Sequence, residues 1–165
     1  MTTEGIDYRI TECFMKLEDV SEECLRSFSL SISELSRVTI GGVEYVKVPC
    51  DYVRDYAIDL VNGKVTKDLV VYYPSRNARF LIPKGIDIKF VEVVGKQVFP
   101  LISEGVEVKA RDKIAYIVTG KSEVRVVRSP MDAMVIFIFY YPLHKPEKYV
   151  FILTEVGNVE RIDRR

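Results

Sequence analysis

The chain has 165 residues, of which 48% are hydrophobic and 29% charged, a balance typical of a folded globular protein and not of a disordered or fibrous one. Its 24 basic and 24 acidic residues cancel, so no net field draws the chain toward nucleic acid or anionic lipid. The longest apolar stretch, residues 134–143, is far shorter than the ~20 residues that cross a bilayer, and residues 1–5 do not resemble a leader. We therefore predict a cytoplasmic protein without a nucleic-acid or membrane partner.

The cysteines give no clear framework. Cys13, Cys24 and Cys50 are an odd number, and no pair has the two-residue gap typical of zinc or redox sites. Because thiols in a cytosol stay reduced, we expect three free cysteines that pack as small apolar side chains, with a Cys13–Cys24 pair as the alternative.

The N-terminal half is predicted to be mostly β, with one short helix. Residues 7–17 have an extended pattern, and the acidic residues after Asp19 favour the positive end of a helix dipole, which predicts a helix over about residues 20–27. The serine-rich segment 27–36 alternates apolar and polar residues as a strand would, but its structure stays open.

Two glycine-containing pairs, Gly41-Gly42 and Asn62-Gly63, predict tight hairpins, because such turns need residues that adopt positive φ easily. The strands expected around and after them cover residues 38–40, 43–48, 57–61, 64–66, 69–73 and 79–82.

The second half contains nearly continuous strands. They are predicted over residues 86–94, 97–102, 113–118, 123–128, 134–141 and 149–155. No long linker separates the two halves, so the domain boundary is inferred from composition. We predict one domain over residues 1–94 and a second over residues 95–165.

Two segments on either side of a predicted hairpin share the spacing of a known module. The first is Gly-x-x-Val-x-x-x-Asp-x-Ile from Gly105 to Ile114, and the second is Ser-Pro-x-Asp-x-x-Val from Ser129 to Val135. This arrangement resembles the biotinyl/lipoyl attachment domains, which implies that residues 95–165 form a barrel-sandwich hybrid of two short antiparallel sheets. The whole chain also resembles a group of small archaeal proteins of unknown function.

The chain departs from the pattern of that module at three positions. Val106 stands where an Asp is usual, and Arg111 and Ala133 stand where glycines are usual. Arg and Ala enter left-handed turns only at a cost of about 1 kcal/mol or more, so we expect reshaped turns at Arg111 and Ala133.

The acceptor lysine is the decisive position in this resemblance. The family carries biotin or lipoate on a hairpin lysine eight positions before the proline, and counting back from Pro130 gives Ser122. A serine cannot form the required amide, so the resemblance implies a module with no covalent cofactor. The alternative is a biotin or lipoate carrier modified on Lys121, which needs one extra residue in the turn.

Other residues give weaker signals. Gly120-Lys121-Ser122 is not a phosphate loop, because Ala115 stands at the place of its first glycine and no helix follows. His144 is the sole histidine and lies in a loop bounded by Pro142 and Pro146, so no histidine-based metal site can form.

We predict a mainly β protein that serves as a binding module; the alternative, an enzyme, has no evident pair of nucleophile and base in the sequence. The expected partner is a protein or a small ligand, bound near Ser122, Asp132 and His144. The aromatic clusters at residues 72–73 and 137–141 also allow a homo-oligomer.

Overall fold

The structure, a computed structural model, describes residues 10–27 and 35–162. Antiparallel strands dominate these residues, which confirms the predicted mainly β fold. The helices are α1 (Glu22–Ser27) and α2 (Cys50–Tyr56), with short 3-10 turns at Leu17–Asp19, Pro74–Arg76 and Val156–Asn158. The strands are β1 (Glu12–Lys16), β2 (Arg37–Ile40), β3 (Val43–Val48), β4 (Ile58–Asp59), β5 (Lys64–Val65), β6 (Leu69–Tyr73), β7 (Ala78–Ile82), β8 (Lys89–Gly95), β9 (Gln97–Pro100), β10 (Glu107–Val108), β11 (Lys113–Val118), β12 (Val124–Arg128), β13 (Ala133–Tyr140), β14 (Glu147–Thr154) and β15 (Glu160–Ile162).

The N-terminal unit is built on a six-stranded sheet with the order β15-β7-β6-β1-β3-β2. It contains residues 10–59, 64–86 and 159–162 of the described chain. The central strands β1 and β6 are apolar and largely buried, and a cluster of Phe14, Tyr45 and Val70 packs on one face of the sheet. The predicted helix is confirmed as α1, whereas most of the open serine-rich segment, residues 28–34, lies outside the described residues.

The two predicted glycine hairpins have different outcomes. Gly41 and Gly42 both have positive φ, 58° and 80°, and connect β2 to β3 as a two-residue turn. The second prediction is wrong in its turn length. The pair nearest the turn between β4 and β5 is Asp59 opposite Lys64, so four residues and not two form the loop. Gly63 in that loop has a φ of 65°.

The C-terminal unit consists of residues 60–63 and 87–158 and contains two short antiparallel sheets, as predicted. One sheet has the order β10-β13-β14-β8 and the other the order β12-β11-β9. Strand β13 is apolar without alternation and is buried on both faces, because it lies inside the first sheet. The core contains Val93, Ile114, Val135, Phe151 and Leu153.

The two units divide after Ile86 and not at the predicted boundary between residues 94 and 95. Strand β8 pairs with β14 along its whole length, from Lys89 opposite Leu153 to Gly95 opposite Glu147. Strand β15 leaves the C-terminal unit and pairs with β7 of the N-terminal sheet, although the sequence placed residues 159–162 in the C-terminal domain.

Cys13 and Cys50 form a disulfide, so the expectation of three free cysteines is wrong. Strand β1 is central in its sheet, and Cys13 on it lies against the first residue of α2, with 5.3 Å between the two Cα atoms. The pair is 37 residues apart in sequence, a separation that contains no local signal. The bond ties α2 to the N-terminal sheet.

A membrane span would need a long apolar helix. Neither helix in residues 10–27 and 35–162 meets that requirement.

Candidate functional site

The tip of the β11–β12 hairpin is a three-residue loop, Gly120-Lys121-Ser122. Its ends are joined by a bond from the Thr119 N–H to the Glu123 carbonyl (2.8 Å), and the Ser122 N–H donates to the Thr119 carbonyl (2.9 Å). Ser122 has a φ of 64°, the conformation of the last residue in a type I turn with a bulge. The side chains of Lys121 and Ser122 are exposed at this tip.

The pairing of the hairpin determines how its tip aligns with the Ser-Pro turn. The pairing of β11 with β12 shifts by one residue between Lys113 and Ala115, so Ile114 on β11 has no partner residue opposite it on β12. Strand β12 is uninterrupted from Val124 to Arg128. The eight-residue count from Pro130 back to Ser122 therefore runs along β12, which has no extra residue, and ends in the loop, where Ser122 has the left-handed conformation.

Asp132 lies in the turn before β13 and holds a neighbouring turn in place. Its Oδ1 accepts a hydrogen bond of 2.8 Å from the backbone N–H of Ala110. In the same region the Arg111 N–H donates to the Ser129 carbonyl (2.8 Å), and the Ser129 N–H donates to the Asp112 carbonyl (2.8 Å). Asp132 therefore has a structural role that accounts for its carboxylate, and it is not brought together with His144.

Arg111 has a left-handed backbone conformation that favours glycine, with a φ of 76°. The expected reshaping of this turn relative to a carrier domain stays a prediction. Its carbonyl accepts a 2.9 Å bond from Arg128 Nη1, and its N–H is bonded to Ser129. Ala133, the other replaced glycine, is fully buried and begins β13, where no left-handed conformation is needed.

The loop between β13 and β14 carries His144 on the surface. The His144 N–H donates to the Tyr141 carbonyl (3.1 Å), and Nδ1 of the ring lies 2.7 Å from the Pro146 carbonyl. These two contacts fold the loop back on itself and fix the direction of the imidazole ring. The side chain of Leu143 beside it is 95% exposed, so the loop projects from the sheet.

An open cleft of about 800 Å³ lies between this loop and the hairpin tip, and we call it the hairpin cleft. Residues of the hairpin, of the His144 loop and of the turn after β8 contribute to its wall. The apolar part of the wall consists of Val94, Gly95, Ile117, Tyr140, Pro142 and Pro146. The structure thus brings His144 together with the hairpin, whereas Lys121 and Ser122 project from the tip outside the wall.

The charged residues of the hairpin cleft are mostly basic. Its wall includes three basic residues, Lys96, Arg125 and Lys145, and one acidic residue, Glu147. The Glu147 Oε1 atom accepts a 2.8 Å bond from the Val98 N–H, which ties β14 to β9. The sequence did not single out these cations, because they lie on three separate segments that only the fold brings together.

Tyr149 lies behind the cleft, with its ring 4.8 Å from that of Tyr140. Burial raises the pKa of the Tyr149 phenol, and the negative charge of Glu147 raises that pKa further. The phenol is therefore neutral at physiological pH and acts as an apolar support with a polar end.

Half of the six aromatic side chains in the two clusters proposed for self-association are buried, whereas Tyr72 and Tyr141 are half-buried and Tyr140 is exposed. Tyr73 and Phe137 are fully buried, and Phe139 is 6% exposed. These three rings cannot form a surface stripe. In the part of the chain that the structure describes, no group of three His, Cys, Asp or Glu side chains could hold a metal ion.

The fold and the site define a mainly β protein whose C-terminal unit has two short antiparallel sheets and a cleft beside a hairpin tip. Residues 9–155 match the family model of an uncharacterised protein conserved in archaea, DUF2118, and the chain belongs to that family. Membership in an archaeal family of unknown function, predicted from the sequence, is confirmed.

A curated relative is the uncharacterised protein MJ0859 of Methanocaldococcus jannaschii. It is 29% identical over 101 residues, which cover 60% of this chain and 61% of the relative. The chain therefore spans less than two thirds of that relative's length.

Proposed function

We propose that the C-terminal unit is a biotinyl/lipoyl-like module of a cytoplasmic protein, that it carries no covalent cofactor, and that it binds a protein partner or a small ligand. The single observation that carries the binding role is the hairpin cleft. Two loops chosen from the sequence, the hairpin tip and the His144 loop, lie on opposite sides of it.

The likeness to the module is supported by contacts between the two motif segments. The Gly105 N–H donates to the Val135 carbonyl (2.7 Å), and the Val135 N–H returns a bond of 2.9 Å to the Val106 carbonyl. Asp132 bonds to the turn at Ala110, and Arg111 has a left-handed conformation that favours glycine. The residues that match in sequence therefore also pair in space, as one module would require.

The absence of a covalent cofactor is supported by the position of Ser122. It occupies the acceptor register relative to Pro130, and a hydroxyl cannot form a stable amide with biotin or lipoate. Lys121 also lacks the neighbours typical of carrier domains, since Gly120 and Ser122 flank it.

A second candidate, a carrier acylated on Lys121, is favoured by the loop geometry. Ser122 is the extra residue of a three-residue loop and has a φ of 64°, so Lys121 is the central residue of the tip. Its side chain is exposed and free to project from the hairpin.

Intact mass spectrometry of the protein from an archaeal host separates the two candidates. For a non-acylated module we expect the mass of the unmodified chain in the wild type. An added biotinyl or lipoyl mass that disappears in Lys121→Arg and persists in the control Lys113→Arg would establish the carrier instead.

A separate experiment tests the hairpin cleft as the binding site. A Cβ at Gly120 meets no atom within 4 Å, and Gly120 has no positive φ, so Gly120→Tyr can fold while its ring blocks the cleft. Gly157→Tyr is the matched control, because Gly157 has the same open surroundings and does not line the cleft. We expect chemical shift changes from a fragment mixture at cleft amides, lost only in Gly120→Tyr. Fragments that bind only elsewhere would contradict the proposal.

A further inference from the structure

We infer that the hairpin cleft binds a small organic anion, with an apolar body and a carboxylate group. This inference rests on the proposed function and narrows it from a partner or ligand to one chemical class. Three properties of the cleft support it: its size, the composition of its wall and its local charge.

The size of the hairpin cleft suits a small molecule. Its volume of about 800 Å³ falls within the ~300–1,000 Å³ of typical small-molecule sites. A stable protein partner would instead need a face of ~800 Å² on each side, which a concave cleft between two loops does not provide. The occupant that fits is a ligand of modest size.

The wall of the cleft provides an apolar surface for the body of that ligand. Ile117 and Val94 come from neighbouring strands, and Pro142 and Pro146 come from the His144 loop. The Tyr140 ring is 42% exposed and is supported from behind by Tyr149, 4.8 Å away. A flat or chain-like apolar group can therefore contact several side chains at once.

The charge of the cleft selects an anion. Three of the residues that line the cleft are basic, Lys96, Arg125 and Lys145, and one is acidic, Glu147. The cleft is therefore locally positive, although the formal net charge of the whole chain is zero. The nearest carboxylate to Arg125 is that of Glu123, an exposed contact at 3.9 Å, which is a weak ion pair. The cations are therefore available to a ligand, and Lys and Arg form strong charge-assisted hydrogen bonds with carboxylates.

The hairpin tip argues for a carboxylate and against a phosphate group. Phosphate sites usually present several backbone N–H groups to the ligand. At this tip the N–H groups of Lys121 and Glu123 donate to Thr119 Oγ1, at 3.3 and 3.2 Å, and that of Ser122 donates to the Thr119 carbonyl. Recognition therefore falls to the side-chain cations, and the ligand needs only one anionic group.

The test compares two probes of similar size and apolar body, 4-phenylbutyrate, which carries a carboxylate, and 4-phenylbutan-1-ol, which carries a neutral hydroxyl, by NMR titration of the ¹⁵N-labelled full chain. At low salt we expect both to shift the amide signals of Gly95, Lys96 and Gly120, with the carboxylate bound about tenfold more tightly. The preference should shrink at 0.5 M salt, because screening weakens exposed charge pairs.

Two variants locate the preference in the cleft. Lys96→Gln combined with Lys145→Gln should weaken phenylbutyrate binding about tenfold and leave phenylbutanol unchanged, since each exposed pair contributes modestly. Lys89→Gln is the matched control, because Lys89 lies at the opposite end of β8 and does not line the cleft. An equal loss in the control would overturn the inference.

The remaining outcomes separate this inference from the proposed function. If both probes bind at the cleft with equal affinity, the anion inference is overturned while the binding role of the cleft is supported. If neither probe shifts the cleft signals, the inference is overturned. If the fragment mixture also leaves those signals unchanged, the small-ligand part of the proposed function fails with it.

Discussion

Arg111 has a backbone conformation that glycine adopts more easily, with a φ of 76°. The Arg111 N–H and carbonyl are both bonded, to the Ser129 carbonyl and to Arg128 Nη1, which holds the residue in that conformation. For a side chain other than glycine the left-handed region costs about 1–2 kcal/mol. The conformation of this turn therefore lowers the free energy of unfolding of the protein.

We predict that Arg111→Gly raises the free energy of unfolding by about 0.5–1 kcal/mol. Relief of the left-handed strain exceeds the extra entropy that glycine gains in the unfolded chain. Urea denaturation followed by circular dichroism measures the change. Ala110→Gly is the matched control: Ala110 has no positive φ, so only the entropy cost applies and stability should fall by a similar amount. A loss of stability in both variants would show that the left-handed conformation of Arg111 does not destabilise the folded protein.

Residue-level prediction from the sequence could use local signatures but not contacts between distant segments. His144 stood out as the sole histidine in a loop with two prolines, and it lines the hairpin cleft, while its binding role stays a prediction. Lys96, Arg125 and Lys145 could not be found, because an isolated basic residue in a strand or turn has no distinguishing pattern. The Cys13–Cys50 bond was missed because disulfides were not expected in a cytosol, an argument that fails for many proteins of hyperthermophilic archaea.

At the scale of elements, the end of β8 passes close to β11, and Gly95 allows this approach. A Cβ at Gly95 would lie 3.0 Å from Ile117 Cβ and 3.2 Å from the Val118 carbonyl oxygen. Both contacts are closer than ordinary van der Waals packing, and the second involves backbone that cannot easily move. The glycine therefore sets the separation of the two strands behind the hairpin cleft.

We predict that Gly95→Ala lowers the free energy of unfolding by about 1–3 kcal/mol, the usual cost of overpacking. Gly120→Ala in the same unit is the matched control: its Cβ meets no atom within 4 Å, and the reduced entropy of the unfolded chain should raise stability by about 0.4–1 kcal/mol. Chemical denaturation of the two variants should give changes of opposite sign. Equal changes in the free energy of unfolding of the two variants would show that a methyl group at Gly95 does not clash with β11.

The elements that the sequence predicted best are those with strong turn signals or long apolar runs. Strands β6 and β11 match their predicted bounds, and the Gly41-Gly42 turn is correct. Helix α2 was missed because its seven residues include aromatic and β-branched side chains, which suit strands equally well. Its start is stabilised by packing and by the Cys13–Cys50 bond, neither of which is visible locally.

For the whole molecule, the chain leaves the N-terminal unit after Ile86 and returns to it at residue 159. Strand β15 pairs with β7, with Arg161 opposite Phe80, about half of the chain earlier. Composition and periodicity describe neighbouring residues, so they could not reveal a pairing over this distance. This is the physical reason that the predicted two-domain division placed the last strand in the wrong unit.

The return of β15 gives a prediction at this scale. Ending the chain after Asn158 removes the edge strand of the six-stranded sheet and exposes the backbone of β7 to water. Each lost backbone hydrogen bond contributes about 0.5–1.5 kcal/mol, so the N-terminal unit should lose roughly 1–3 kcal/mol of stability. Hydrogen exchange by NMR should show faster exchange of the β7 amides, while those of β13 and β14 keep their protection.

A chain that ends after Ile162 is the matched control, because it keeps β15 complete and should exchange like the full chain. If the shorter truncation instead leaves β7 protected and speeds exchange in β13, residues 159–162 would stabilise the C-terminal unit. The predicted division at residues 94 and 95 would then describe the stability of the chain better than the strand pairing does. If only β7 responds, the last strand completes the N-terminal sheet, and the C-terminal module ends at Asn158.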